Sequence, residues 1–198
     1  MDPHLASRVL LSYFHAVPVV PSRYHAPALL PGGHLQTIYP AVCRRVPPVT
    51  TRRERLELPD GDFLDLDWAG QGSDRLAILS HGLEASSKAT YIQGMAAALH
   101  RRGWDVLAWN CRGCGGEPNR LLKFYHSGAS EDLHLVVSHA LAVHPAARID
   151  LVGFSLGGNL TIKYLGESPA ALPPRLRRAV VFSVPCDLAC SSRQLAFP

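Results

Sequence analysis

From residue 73 onward, short runs of apolar residues alternate with longer stretches in which apolar residues recur at helical spacing. Four short runs are predominantly apolar and predict strands at 76–79, 106–109, 149–152 and 179–184. Between the strands, apolar residues recur at helical spacing and predict helices at 90–101, 130–144 and 156–165, the last ending at Gly166. Strands of this kind separated by amphipathic helices are typical of a mostly parallel sheet with helices on both faces. The predicted fold class is therefore α/β.

Two more strands are predicted ahead of this region, at 55–58 and 63–68. They flank Pro59-Asp60-Gly61-Asp62, in which the Asp-Gly pair suits a tight hairpin turn. From 63 to 68 the chain alternates with a period of two, because Leu64, Leu66 and Trp68 are separated by acidic residues. This alternation predicts a strand buried on one face only.

The first 50 residues differ from the rest in their density of proline. Each proline fixes the backbone φ angle and removes an amide donor, so long helices and central strands are not expected there. We predict a proline-rich arm at 1–50, with one short helix near 6–15, and an α/β domain at 51–198. The prolines of the arm are at positions 3, 18, 21, 27, 31, 40, 47 and 48.

Composition and charge exclude several classes of function. The 198 residues are 47% hydrophobic and 18% charged, and the net charge of +4 is scattered rather than gathered in a basic stripe, so no nucleic-acid partner is predicted. No apolar run reaches the roughly 18 residues of a transmembrane segment. The N-terminus makes a poor signal peptide, and an odd number of cysteines, five, favours reduced thiols. A cytoplasmic location is expected.

The most informative motif is Gly153-Phe154-Ser155-Leu156-Gly157, a G-x-S-x-G between a predicted strand and a predicted helix. A nucleophilic serine stands on a sharp, strained turn of this kind, and Gly153 and Gly157 allow neighbouring segments to approach it closely. The helix that follows favours negative charge at its N-terminus. Ser155 is thus the candidate nucleophile; the alternative is an ordinary turn with a capping serine.

A second candidate element is His81-Gly82-Leu83, which ends an earlier strand. A loop at this position can direct a backbone N–H at the carbonyl oxygen under attack, together with the N–H of Leu156. We interpret the His81 imidazole itself as a support for the loop.

Four blocks of sequence resemble the YheT-like branch of the α/β-hydrolases, and the arm carries a fifth. They are the stretches 81–87, 110–120, 125–128 and 153–159, with Pro31-Gly32-Gly33-His34-Leu35-Gln36-Thr37-Ile38-Tyr39-Pro40 in the arm. The resemblance implies an α/β-hydrolase fold and a cytoplasmic serine carboxylesterase without a cofactor or a metal. It implies Ser155 as nucleophile, Leu83 and Leu156 as oxyanion donors, and a small-molecule ester as substrate.

The sequence departs from that family in its last third. In this superfamily the acid and the histidine of the catalytic triad follow the serine, whereas all ten histidines here precede Ser155 and only Glu167 and Asp187 are acids after it. We therefore expect a truncated hydrolase domain that lacks its last strands, leaves 179–184 as an exposed sheet edge, and is inactive or impaired. The alternative is a non-catalytic α/β fragment, or half of a split protein that needs a C-terminal partner.

Three weaker patterns are interpreted as structural. Cys111 and Cys114 form a C-x-x-C, but the spacing and predicted positions of the cysteines do not favour zinc or redox chemistry. His126 and Asp132 are interpreted as a loop histidine and an acid in the first turn of a helix. Asp187 is interpreted as a helix cap.

Overall fold

The computed structural model describes residues 20–47, 49–146 and 148–196. It divides into two compact units, Met1–Arg44 and Arg45–Pro198. The helix predicted near 6–15 lies outside the described residues, and the predicted domain boundary at residue 50 stays a prediction.

The first unit contains a helix that the density of prolines did not predict. Helix α1 spans Gly32–Cys43 and follows Pro31, whose φ of −68° suits the residue before a helix. Residues 32–39 contain no proline, and Thr37 Oγ1 donates to the Gly33 carbonyl at 2.8 Å. The expectation of an arm without a long helix was wrong because it averaged proline over 50 residues, whereas the only proline inside this helix, Pro40, lies near its C-terminal end and removes a single amide donor.

The second unit is built on one six-stranded sheet. Its strands are β1 Arg52–Glu57, β2 Phe63–Ala69, β3 Arg75–Ser80, β4 Asp105–Trp109, β5 Arg148–Phe154 and β6 Leu176–Phe182. Their order across the sheet is β1-β2-β4-β3-β5-β6. The strands β1 and β2 form an antiparallel hairpin, and β2 also pairs antiparallel with β4; the pairs β4–β3, β3–β5 and β5–β6 are parallel.

Helices cover both faces of this sheet, as predicted. Successive residues of β3 point to opposite faces, so Leu76 and Ile78 belong to one core while Ala77 and Leu79 belong to the other. Buried residues of α3 and α4 complete the first core, and those of α2 complete the second. The helices are α2 Thr90–His100, α3 Ser130–Val143, α4 Leu156–Glu167 and α5 Leu188–Ala196, with a 3₁₀ turn at Pro169–Ala171.

Strand β2 is buried along its whole length, which corrects the prediction of a strand buried on one face. Its acidic side chains are neutralised by arginines of the neighbouring strand β1. Arg53 Nε lies 2.9 Å from Asp67 Oδ1, and Arg55 Nε lies 2.9 Å from Asp65 Oδ1. Periodicity alone could not show this, because the partners come from another strand.

The structure also differs from the prediction in the bounds of helix α4 and of strand β6. Helix α4 continues through Gly166 to Glu167, so Gly166 does not terminate it. Strand β6 begins at Leu176 and stops at Phe182, before Ser183, which has a φ of +51° that breaks extended geometry. β6 lies at the edge of the sheet, with Val180 and Phe182 50% and 41% exposed.

A buried arginine ties the loop after β4 to distant parts of the chain. The Arg112 guanidinium donates twice to Asp132 of α3, with Nε–Oδ2 at 2.9 Å and Nη2–Oδ1 at 2.8 Å. Its Nη1 also lies 3.0 Å from Asp62 in the β1–β2 turn. Burial by itself raises the pKa of Asp62, but hydrogen bonds from Asn119, from the Arg120 amide and from Arg112 outweigh it and leave that pKa lowered. Asp132 is therefore more than a first-turn helix acid.

Replacing Arg112 by alanine is expected to destabilise the domain strongly, because two buried carboxylates lose their cation. Breaking a buried ion pair from one side costs about 3–5 kcal/mol, to be measured by chemical denaturation. Arg120→Ala is the control, since Arg120 pairs with Glu57 at the exposed surface and should cost at most about 1 kcal/mol. Equal losses for the two variants would contradict the role assigned to Arg112.

Candidate active site

Ser155 lies on the sharp turn between β5 and α4, with φ +51° and ψ −117°. Backbone angles in this region cost about 1–3 kcal/mol for a residue with a side chain. The turn is held from both sides: the Ser155 amide donates to the Phe182 carbonyl at 2.9 Å, and its carbonyl accepts from the Asn159 amide at 3.0 Å. The Ser155 side chain is exposed.

The two glycines of the motif stand where no side chain fits. A Cβ on Gly157 would overlap the carbonyl oxygens of Ser80 and His81 at the end of β3. A Cβ on Gly153 would lie 2.6 Å from the Gly157 carbonyl oxygen. The strand ends of β3 and β5 and the first turn of α4 are thus in direct backbone contact, which keeps Ser155 next to the loop after β3.

The loop after β3 contains Leu83, and the backbone amides on either side of Leu83 already donate hydrogen bonds. The Gly82 amide donates to the Tyr91 hydroxyl at 2.9 Å, and the Glu84 amide donates to the Tyr125 hydroxyl at 2.7 Å. A Cβ on Gly82 would lie 3.2 Å from Ser155 Cβ, so the loop passes directly beside the serine. Within the described residues, neither the Leu83 amide nor the Leu156 amide has an acceptor. Two N–H groups near Ser155 are left for a ligand.

His81 is buried, and both of its ring nitrogens are engaged. Nδ1 lies 2.7 Å from the Gly82 carbonyl, and Nε2 accepts from the Cys111 amide at 3.1 Å. The carbonyl requires a proton on Nδ1, and burial lowers the pKa of the imidazole, so His81 is held as one neutral tautomer. It joins the end of β3 to the loop after β4 and has no nitrogen left to accept a proton from Ser155.

A cavity of about 860 Å³ opens at Ser155. Its wall includes Leu83 and Leu156, which the sequence predicted, and also His126 and Tyr125 from the loop after β4. The far side comes from the segment after β6, including Val184 and Pro185, and from α5, including Leu188. Among the described residues, no Asp, Glu, Lys or Arg lines this cavity.

Tyr125 is the residue that sequence reasoning missed. Its hydroxyl accepts from the Glu84 amide, and burial, the main cause, raises its pKa to about 12, so it stays protonated. The stretch Tyr125-His126-Ser127-Gly128 indicated a family resemblance, yet nothing in it showed that the tyrosine would hold the loop next to Leu83.

His126 shares the cavity with Ser155 but is bonded in a way that does not suit a base. Its Nδ1 accepts from the Gly128 amide at 3.0 Å, so the neutral ring carries its proton on Nε2. Within the described residues, Ser155 Oγ has no hydrogen-bond partner. Asp187, the acid after β6, accepts from the Cys190 amide at 2.8 Å and thus caps α5.

Neither a metal centre nor a membrane-spanning helix is found in the part of the chain that the structure describes. Nowhere in it do three or more His, Cys, Asp or Glu side chains gather as metal ligands would. All five cysteines are free thiols; Cys111 is buried, and burial raises the pKa of its thiol well above the ordinary value. None of the described helices has both the length and the apolar character needed to cross a membrane.

The chain is similar in sequence to one family of hydrolases and to several curated proteins. A family described as serine aminopeptidase, S33, matches residues 71–191. The putative esterase YheT of Escherichia coli (strain K12) is 41% identical over 164 residues, which are 80% of this chain and 47% of that protein. Phospholipase ABHD3 of Homo sapiens is 30% identical over 190 residues, 91% of this chain and 46% of that protein.

The chain is also similar in fold to solved structures of esterases. The esterase Pf2001 of Pyrococcus furiosus has a TM-score of 0.61 and 27% sequence identity, covering 71% of this chain and 54% of that one. The chain thus spans about half the length of the two curated relatives and of this structure.

A methyl group at Gly157 is expected to destabilise the domain, because it would overlap two carbonyl oxygens of β3. Overpacking of this kind costs about 1–3 kcal/mol or more, and Gly157→Ala should lower the denaturation midpoint accordingly. Gly166→Ala in the same helix is the matched control: its Cβ would meet nothing within 4 Å, so it should stabilise by about 0.5–1 kcal/mol. A tolerated Gly157→Ala would show that the close contact is not required.

Proposed function

This chain belongs to the serine aminopeptidase (S33) family of α/β-hydrolases, and from that premise we propose that it carries the nucleophile half of a serine carboxylic-ester hydrolase. The predicted family and the predicted α/β-hydrolase fold are confirmed by the same similarities. The assignment of an ester-cleaving serine goes further. It is supported above all by Ser155, which stands at a positive φ angle beside two amides that have no acceptor among the described residues.

In the proposed reaction, Ser155 Oγ forms a bond to the ester carbonyl carbon while its proton passes to a general base. The carbonyl oxygen becomes an oxyanion that accepts from the Leu83 and Leu156 amides. Loss of one such donor costs about 2.7–4 kcal/mol in the transition state. The bond to the alkoxy oxygen then breaks, the proton returns to that oxygen, and water hydrolyses the acyl-serine to a carboxylic acid. Each step uses side chains and amides alone, so we propose no cofactor and no metal.

The walls of the cavity favour an uncharged substrate. Leucine, valine and proline side chains line it, and no carboxylate among the described residues is available to pair with a free amino terminus. An aminopeptidase would need such a negative group, because a buried ammonium ion without a partner is costly. We therefore propose small uncharged carboxylic esters as substrates, rather than peptides.

The general base is proposed to come from a part of the hydrolase fold beyond this chain. His81 has both nitrogens occupied by the backbone, and the neutral ring of His126 carries its proton on Nε2. The curated relatives are about twice as long as the stretch they share with this chain, which leaves room for an acid and a histidine. The cytoplasmic location stays a prediction.

The 198-residue chain alone is expected to hydrolyse p-nitrophenyl esters no faster than its Ser155→Ala variant. A serine without a base is a poor nucleophile, and loss of the triad histidine costs a factor of about 10⁶ in a serine protease. A Ser155-dependent turnover of about one per second in a spectrophotometric assay would contradict this. His126→Ala would then test whether His126 has changed tautomer and acts as the base.

Joining the C-terminal segment of a related hydrolase to this chain is expected to give it Ser155-dependent activity and to cover the exposed β6 edge. The added strands would pair with the β6 edge, cover Val180 and Phe182, and bring a histidine to Ser155. A fluorophosphonate probe should then label the chimaera through Ser155.

The control variants separate this result from general reactivity of the cavity. Ser155→Ala should abolish labelling, whereas Ser183→Ala should leave it, although Ser183 lines the same cavity with the same φ of +51°. A soluble, well-folded chimaera that is not labelled would count against Ser155 as the nucleophile and in favour of a non-catalytic module.

A further inference from the structure

A second cavity, of about 880 Å³, lies at the opposite end of the sheet from Ser155. It is bounded by Asp105 at the start of β4, Gly70 just after β2, and Arg52 at the start of β1. Ser155 follows the other end of the parallel strands, and the five residues of β4 alone separate the two ends by roughly 16 Å. The two cavities are therefore distinct.

Two buried polar atoms belong to residues that line this cavity and have no hydrogen-bond partner within the described residues. They are Nε1 of Trp68 and Nδ1 of His100, and no other buried side-chain nitrogen or oxygen of the described residues lacks a partner. Trp68 is only 8% exposed, and its ring stacks on His144 with a centroid distance of 5.9 Å. An unpaired buried donor is costly, and its occurrence at a cavity calls for an acceptor that the protein does not supply.

The charged groups of the wall favour an anion. Arg101 has no ion pair within the described residues, and Arg52 has only a 3.4 Å contact with Glu54. The single acid, Asp105, is already saturated: it accepts from His144 Nε2 at 2.9 Å, from the Gln71 amide at 2.7 Å and from the Ser73 amide at 3.1 Å. The Asp105 carboxylate thus has donors of its own, whereas the Arg101 guanidinium has no carboxylate partner among the described residues.

One side of the wall is apolar, although Thr50 and Thr51 also line the cavity. Pro47, Val49 and Ala97 line it together with the ring of Trp68. A bare inorganic ion would leave this apolar surface exposed to water, whereas the hydrocarbon tail of an organic carboxylate would bury it.

We propose that this cavity is a binding site for an organic monocarboxylate with a short apolar tail. The guanidinium of Arg101 binds the carboxylate, with Arg52 contributing at the rim. The Trp68 indole N–H and His100 Nδ1, which are both buried in this structure, donate to the carboxylate oxygens once movement of their side chains uncovers them. The tail lies against Pro47, Val49 and Ala97. The site is independent of the ester chemistry proposed for Ser155.

Equilibrium dialysis of the chain against radiolabelled octanoate tests the proposal. Octanoate is expected to bind in a one-to-one ratio. Arg101→Gln should weaken binding about tenfold, since it removes a charge-assisted contact from an exposed position without disturbing the core. Trp68→Phe, which keeps an aromatic ring against His144 but deletes the N–H, should weaken it about three- to tenfold. Octanol, which has a similar tail without the charge, should not displace octanoate.

Arg102→Gln is the matched control, because Arg102 neighbours Arg101 but donates to the Ala98 carbonyl at 3.0 Å and does not line the cavity. Its octanoate affinity should equal that of the unmodified chain, as should that of Ser155→Ala. Loss of binding in Ser155→Ala would place octanoate in the other cavity and overturn the proposal. So would unchanged binding in both Arg101→Gln and Trp68→Phe, or displacement by equimolar inorganic phosphate.

Discussion

The guanidinium of Arg112 joins three segments that are distant in the sequence: the β1–β2 turn, the loop after β4 and the first turn of α3. It is fully buried, so its charge must be matched where it stands, and the buried Asp62 and Asp132 supply the match together with the partly exposed Asp60. Since the loop after β4 leads directly to Tyr125 and His126, this ion pair fixes one wall of the Ser155 cavity. The same loop is held at its start by the Cys111 amide, which donates to His81 Nε2, and at its far end by Tyr125, whose hydroxyl accepts from the Glu84 amide.

A second constraint acts at the carboxyl ends of the strands, where three backbones meet without side chains between them. Gly157 and Gly153 allow the ends of β3 and β5 to touch the first turn of α4. The three described residues other than glycine with positive φ, namely Glu84, Ser155 and Ser183, all follow the ends of parallel strands. Strain of this kind concentrates at functional edges, because a scaffold that is otherwise well packed holds it there.

How much of this could be predicted from the sequence depends on how far apart the interacting residues are. The elbow around Ser155 and the alternation of strand and helix are local patterns, and they predicted the sheet and the turn. The burial of β2 was not predictable, since it depends on Arg53 and Arg55 reaching Asp67 and Asp65 from another strand. Nor was Tyr125 at the Ser155 loop, which requires the three-dimensional course of the loop after β4.

The strain at the site also bears on whether the fold serves catalysis or only packing. Each strained residue costs about 1–3 kcal/mol, a large share of the 5–15 kcal/mol that stabilises a typical domain. A module without chemistry would gain stability by relaxing Ser155 and pairing the Leu83 and Leu156 amides. Instead the turn is held open by backbone contacts from β3 and β6, and neither amide has an acceptor among the described residues. Because separate backbone contacts from β3 and β6 maintain the strain at Ser155, the geometry favours a hydrolase site over a structural fragment.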